Sequence, residues 1–235
     1  MAKYKRVLLK VTGELFEGDG RPLNFGSVGK FAKSVFEIKK RTGVELVMLL
    51  GAGNLFRGRE VEGTSIDRAT ADYIGMLGTV MNAMALQEEM EKAGDISRVM
   101  SALRIEAVCE PFIRRKALRH LEKARTIILA GGTGSPFFTT DTAAALKAAE
   151  LDCEILMKAS SVEGIYSADP KKDKNAILYK NLTYQEALEK GITVMDSTAF
   201  ALCQKENIPI VVFNVHQTEN IEKIIMGEDV GTLVV

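Results

Sequence analysis

Two lysines stand at the ends of apolar runs. Lys10 follows Arg6-Val7-Leu8-Leu9, and Lys158 closes Cys153-Glu154-Ile155-Leu156-Met157. Three glycine-rich turns follow such runs as well, at Gly13, at Gly51 to Gly58 and at Gly131 to Gly134. Backbone N–H groups in a glycine turn that opens a helix hold anions, and ammonium groups beside them add charge. A lone strand-end lysine can equally carry its ammonium to solvent, and a lone G-x-G after a strand can be a plain tight turn. Three turns with two lysines point instead to a polyanionic ligand, of which a nucleotide is the simplest. Arg57, inside the second glycine loop, has the fork geometry to grip a phosphate.

The chemistry open to such a group is phosphoryl transfer, which is largely positioning and neutralisation of charge. An acceptor that is itself a phosphate, with a second pKa of about 6, needs no general base at neutral pH. That suits a chain with only two histidines, His120 and His216. An alcohol acceptor would call for a base, with Asp141 and Asp196 as candidates. The second loop is not a Walker A, lacking G-x-x-x-x-G-K-[ST], and Phe56 occupies the third glycine position of a dinucleotide fingerprint. No G-x-S-x-G turn supports a serine triad.

These residues need a scaffold with all strand ends on one edge. Apolar runs at 6–12, 44–50, 96–100, 126–130, 153–158, 210–214 and 232–235 read as strands. Helical spacing is read at 27–40, 67–92, 110–122, 142–150, 183–190, from the opening Met195-Asp196-Ser197 through 206, and at 220–226. Thr183 with Glu186 forms a capping-box pattern. The alternation predicts an α/β fold, a three-layer αβα sandwich around a mostly parallel central sheet, in one domain over 1–235. In the long helix, Ile74, Leu77, Met81, Met84 and Leu86 predict an apolar face for core or subunit contact. Asp72 sits near its positive N-terminal end, where an acid is favourable in itself. Arg114, Arg115, Lys116 and Arg119 read as a solvated face.

Composition sets further bounds. The 235 residues are 46% hydrophobic, with 31 basic and 31 acidic side chains. The balanced, scattered charge argues against nucleic acid as the main partner. No run approaches the roughly 20 apolar residues of a membrane span, and no signal-peptide pattern is present. Cys109, Cys153 and Cys203 are odd in number and far apart, which predicts reduced thiols in a cytoplasmic protein without a zinc or disulfide framework.

Lys10-Val11-Thr12-Gly13-Glu14, Gly51 through Gly58, Gly75 through Asn82, Gly132 through Asp141 and Tyr166-Ser167-Ala168-Asp169-Pro170 resemble the bacterial uridylate kinases of the amino acid kinase superfamily. Val194-Met195-Asp196 and the tail from Met226 extend the resemblance over nearly the whole chain. Thr-Gly-x-Pro-Phe-Phe-Thr-Thr-Asp, Thr133 to Asp141, is highly specific to that family.

The resemblance implies transfer from ATP to UMP with Mg2+, in pyrimidine nucleotide biosynthesis. It also implies a homohexamer, activation by GTP and inhibition by UTP. Carried over by position, it implies that Lys10 and Lys158 neutralise the transferring group and Asp141 orients them. Asp141 is given a possible share in organising Mg2+, and no side chain is assigned as a direct metal ligand. Val11, Thr12, Gly13, Gly53, Arg57, Ser160, Tyr166 and Asp169 would bind ATP. Ala52, Asp72, Thr133, Gly134, Ser135, Pro136, Phe137, Phe138, Thr139 and Thr140 would bind UMP. Gly18, Asp19, Gly20, Arg21, Pro22 and Leu23 match a segment linked to GTP activation. Thr12, Ala52 and Glu163 depart from the family's usual serine, glycine and aspartate. Alanine at position 52 would cost about 1 kcal/mol if the backbone there has positive φ.

Overall fold

The computed structural model describes residues 2–57, 63, 65–170 and 172–235. Gly58 of the second glycine loop and Lys171 of the charged turn therefore lie outside the described residues. Among the described residues nine strands form one sheet: β1 (Arg6–Val11), β2 (Glu45–Leu50), β3 (Ser97–Ser101), β4 (Glu110–Pro111), β5 (Thr126–Ala130), β6 (Ile155–Ser160), β7 (Asn181–Leu182), β8 (Ile210–Asn214) and β9 (Thr232–Val234). Their order is β4-β3-β5-β2-β1-β6-β8-β9-β7, and every pairing is parallel except the antiparallel β8–β9. The helices are α1 (Phe25–Thr42), α2 (Arg68–Ala93), α3 (Arg114–Glu122), α4 (Thr140–Glu150), α5 (Tyr184–Glu189), α6 (Ser197–Glu206) and α7 (Glu219–Met226).

Strand alternation builds the two cores. Val7, Leu9 and Val11 of β1 face the core shared with α1, α2 and α7. Leu8 faces the other, shared with α3, α4, α5 and α6. Lys10 follows Leu8 at the strand period of two, so it emerges on the α4 side. Caps set the helix limits. Asn24 accepts Ser27 N–H at the start of α1, and Gly43, at φ 69°, ends it. Asp67 caps α2, and the expected capping box of Thr183 and Glu186 is present at α5.

Three expectations need correction. The helix read from Glu110 begins only at Arg114, because Glu110–Pro111 pairs with Met100–Ser101 as an edge strand. Proline is tolerated at such an edge because it lacks a ladder donor. The short β7, beside β9, was not anticipated. The apolar face read on α2 is divided: Leu86 is in the core, whereas Ile74, Leu77, Met81 and Met84 are exposed. The core face is made instead by Val80, Ala83, Leu86 and Met90.

The decisive topological feature is at β1. The chain proceeds from β1 to β2 on one side and later returns to β6 on the other. A sheet that reverses its strand order opens a crevice beyond the strand C-termini, between the two diverging connections.

Candidate active site

Lys10 of β1 and Lys158 of β6 are direct register partners across that reversal. Parallel pairing places both side chains on one face, and like charges so placed repel. Asp141, in the first turn of α4, lies between them. Its Oδ2 accepts from Lys158 Nζ at 2.5 Å, and its Oδ1 lies 3.1 Å from Lys10 Nζ. The side chains are only 12%, 11% and 14% exposed for Lys10, Lys158 and Asp141. Burial opposes the charge of Asp141, but the two ammonium groups outweigh it and hold the carboxyl below its ordinary range. Burial, reinforced by the Lys10 charge, pushes Lys158 down to about 8 against the pull of Asp141. Lys158 also donates to the carbonyl of Val194.

Thr139 builds the helix start that presents Asp141. Its hydroxyl accepts from the Asp141 and Thr142 N–H groups and donates to Asp196. Asp196 in turn accepts from Thr142 Oγ1 at 2.8 Å and caps α6 through Ala199 N–H. Its carboxylate thus joins two helix starts.

Two clefts open beside the lysine pair. A cleft of about 320 Å³ is lined by Lys10, Thr12, Ala52, Gly53, Asp72, Thr133, Phe138 and Thr140. Phe56, Gly75, Met76 and Thr79 complete much of its wall. The other, about 360 Å³, is lined by 162, 164–170 and 190–194, including Tyr166, Asp169 and Val194. Lys10 lines the first cleft, and Lys158 is bonded to a wall residue of the second.

Not every expected residue reaches a cleft. Val11 is wholly in the core. Arg57 is turned to Glu14, at 2.7 Å, and to the Gly53 carbonyl. The Ser160 hydroxyl accepts Val162 N–H. Gly134 packs on Ala102, and the Ser135 N–H bonds the Thr133 hydroxyl. Pro136 and Phe137 line neither cleft. Phe137, 68% exposed, is held at φ 71°, where a non-glycine residue is strained. Its N–H donates to Asp72 Oδ2 at 2.7 Å, while Asp72 Oδ1 accepts from Arg68. Asp72 therefore braces the turn as well as lining the cleft. Gly18–Leu23 forms a surface turn closed by bonds between Gly18 and Arg21. Ala52 does not have positive φ, so alanine there is unstrained, and Glu163 accepts from Asn214.

Residues missed by sequence reasoning include Thr79, which accepts Gly131 N–H at 2.7 Å, and the buried amides of Asn54 and Asn82. The signal for the first was present: Gly75 and Gly78 within one helix mark close approach to another segment.

The amino acid kinase family model matches residues 5–214. This chain belongs to the amino acid kinase family. Among solved structures, it is similar to the UMP kinase of Bacillus anthracis, with 36% identity and a TM-score of 0.93 over 98% of this chain and 96% of that one. It is similar to the UMP kinase of Ureaplasma parvum, with 31% identity and a TM-score of 0.90 over 99% of each chain. The uridylate kinase of Archaeoglobus fulgidus matches at 26% identity and 0.74, over 97% of this chain and 99% of that one.

As an amino acid kinase family member, the chain is built for phosphoryl transfer, and its geometry bears on the metal. Among the described residues no group of three or more His, Cys, Asp and Glu side chains could hold an ion. Asp141 Oδ1, however, is buried without a well-aligned hydrogen bond, its neighbour being Lys10 Nζ at 3.1 Å. One carboxylate with a free lone pair suits Mg2+, which is bound through one or two carboxylates, substrate phosphates and water. Among the described residues no helix is long and apolar enough to cross a membrane.

Proposed function

We propose that this chain is a UMP kinase that transfers the γ-phosphoryl group of ATP directly to a phosphate oxygen of UMP, giving ADP and UDP. The observation carrying the reading is the lysine pair at the join of two clefts, with the similarity to UMP kinases naming the substrates. The 320 Å³ cleft takes UMP, bounded by Asp72, Thr133, Phe138 and Thr140. The cleft at Tyr166 and Asp169 takes the ATP nucleoside, and Gly53, on the wall of the first cleft beside Lys10, is assigned to its phosphates together with the turn at Gly13.

The P–O bond to ADP breaks, its electron pair leaves with ADP, and a lone pair of the UMP phosphate forms the new bond. The acceptor oxygen carries no proton at neutral pH, so none must be removed. Lys10 and Lys158 stabilise charge on the transferred group, and Asp141 fixes their separation. Asp141 is the carboxylate that would help hold a Mg2+ ion on the nucleotide phosphates, and such an ion would supply further charge neutralisation. Self-association to a hexamer belongs to the proposal and is supported by the exposed apolar stripe of α2. GTP activation through Gly18 to Leu23 and UTP inhibition rest on the sequence resemblance alone, and a cytoplasmic location rests on the three free cysteines.

The test measures ADP release with ATP, Mg2+ and UMP, CMP or dTMP, with and without GTP. UDP formation from UMP is expected. Phosphorylation of acetylglutamate, aspartate or carbamate but not UMP would replace this reading with another kinase of the family. ATP binding without turnover would make the chain a binding protein.

A further inference from the structure

Asn54 and Asn82 form a reciprocal amide pair beneath the two loops read above as facing the ATP phosphates. Asn82 Nδ2 donates to Asn54 Oδ1 at 2.8 Å, and Asn54 Nδ2 donates to Asn82 Oδ1 at 3.1 Å. The remaining amide proton of Asn82 goes to the Gly51 carbonyl at 2.8 Å, and that of Asn54 to the Pro22 carbonyl at 2.7 Å. All four N–H donors are used. Asn82 is fully buried on α2, and Asn54 is buried in the Gly51 to Arg57 loop. A third segment closes over the pair: a Cβ on Gly13 would lie 2.1 Å from Asn54 Oδ1 and 3.0 Å from Asn82 Nδ2. Gly51 N–H bonds the Val11 carbonyl, so the turns after β1 and β2 already touch.

Core asparagine is costly unless every polar group is satisfied. Packing alone would be served by an aliphatic side chain. A fully reciprocated amide pair specifies instead one separation between the elements it joins. We infer that Asn54 and Asn82 are positioning residues that set the spacing of the Gly13 and Gly53 N–H groups for ATP, with Pro22 locked to the same unit. The inference rests on the ATP-facing assignment of those two turns. The pair touches no residue of the nucleoside cleft and acts only through the backbone of the loops.

The experiment compares Asn54→Asp, Asn82→Ala, their double variant and Gly13→Ala with the wild type. It reads kcat, KM for ATP and for UMP, ATP affinity by calorimetry, and Tm. Asn54→Asp keeps the shape but faces the Asn82 oxygen with an acceptor. Gly13→Ala leaves both amides in the chain and displaces Asn54. Each single variant is expected to raise KM and Kd for ATP roughly tenfold, the scale of a lost buried hydrogen bond. KM for UMP should rise less than KM for ATP, because Gly51 and Gly53 also line the cleft assigned to UMP, and the double variant should be no worse than Asn82→Ala, as for residues acting as one unit. A lowered Tm with unchanged ATP parameters would reduce the pair to a structural contact and overturn the inference, as would equal rises for both substrates or additive effects. If Asn82→Ala does not fold, Asn54→Asp and Gly13→Ala decide it. If the wild type binds ATP but makes no UDP, the functional reading fails while calorimetry still tests the pair.

Discussion

Lys10 and Lys158 are nearest neighbours across the β1–β6 reversal of strand order, and they share a single carboxylate. One negative charge between two positive ones leaves the cluster with net positive charge, matched to a transferring phosphoryl group. Removing a preformed stabiliser of this kind costs about 10²–10³ in rate. Lys158→Ala is therefore expected to lower kcat by roughly that factor in steady-state assays with UMP. Near-normal turnover would remove Lys158 from the chemistry.

The depressed pKa of Lys158 gives the pH dependence a definite sign. The ammonium is present below about pH 8 and is lost above it. Since kcat/KM reports the free enzyme, kcat/KM for ATP should fall on an alkaline limb near pH 8. Bound phosphates favour the charged form, so the corresponding limb in kcat should lie higher. Coincident limbs in both profiles would contradict this electrostatic account.

Asp141 is ionised more readily in the folded chain than in an ordinary peptide. Its stabilising contribution is thus present above the unfolded carboxyl value of about 3.9, and is lost as pH falls through the lower folded value. Asp141→Asn leaves two neighbouring ammonium groups without a counter-charge and should cost on the order of 3 kcal/mol at pH 7. Thermal melts of both proteins from pH 7 to 3 should converge at the acid end. A Tm difference independent of pH would show that charge is not the cause.

Asp72 holds the strained Phe137 N–H at the rim of the smaller cleft. Asp72→Ala should raise KM for UMP at least about tenfold, the scale of a lost charge-assisted bond, and that for ATP far less. Initial-rate measurements with each substrate varied would check it, and equal effects would move Asp72 out of the acceptor site.

Leu77, Met81 and Met84 recur on one exposed side of α2, away from its core face. If that stripe joins copies of the chain, Met81→Glu should shift the particle to lower mass in light scattering. Tm of the monomeric unit should change little, because Met81 is 55% exposed. An unchanged mass would place any assembly surface elsewhere.

The alternation of strands and helices was readable because both periods are local, and so were the lysines and glycine turns. What joins them was not. No periodicity tells that β1 lies between β2 and β6, so the register match of Lys10 with Lys158 became visible only in three dimensions. The start of α3 was misplaced because a two-residue edge strand is too short to show a period. Asn54 and Asn82 escaped notice because polar residues on a loop and a helix read as solvated until their partners are known. Arg57 illustrates the reverse: its position suggested a phosphate fork, but Glu14 holds the guanidinium in the structure.

The strand reversal also has a kinetic side. A chain folded as far as α4 already contains Lys10 and Asp141, a self-neutralised pair. Lys158 arrives only when β6 docks against β1, a contact between segments most of the chain apart, and such distant pairings form slowly. Phosphoryl-transfer competence therefore waits on this long-range pairing. In refolding experiments, recovery of turnover should lag behind recovery of helical circular dichroism.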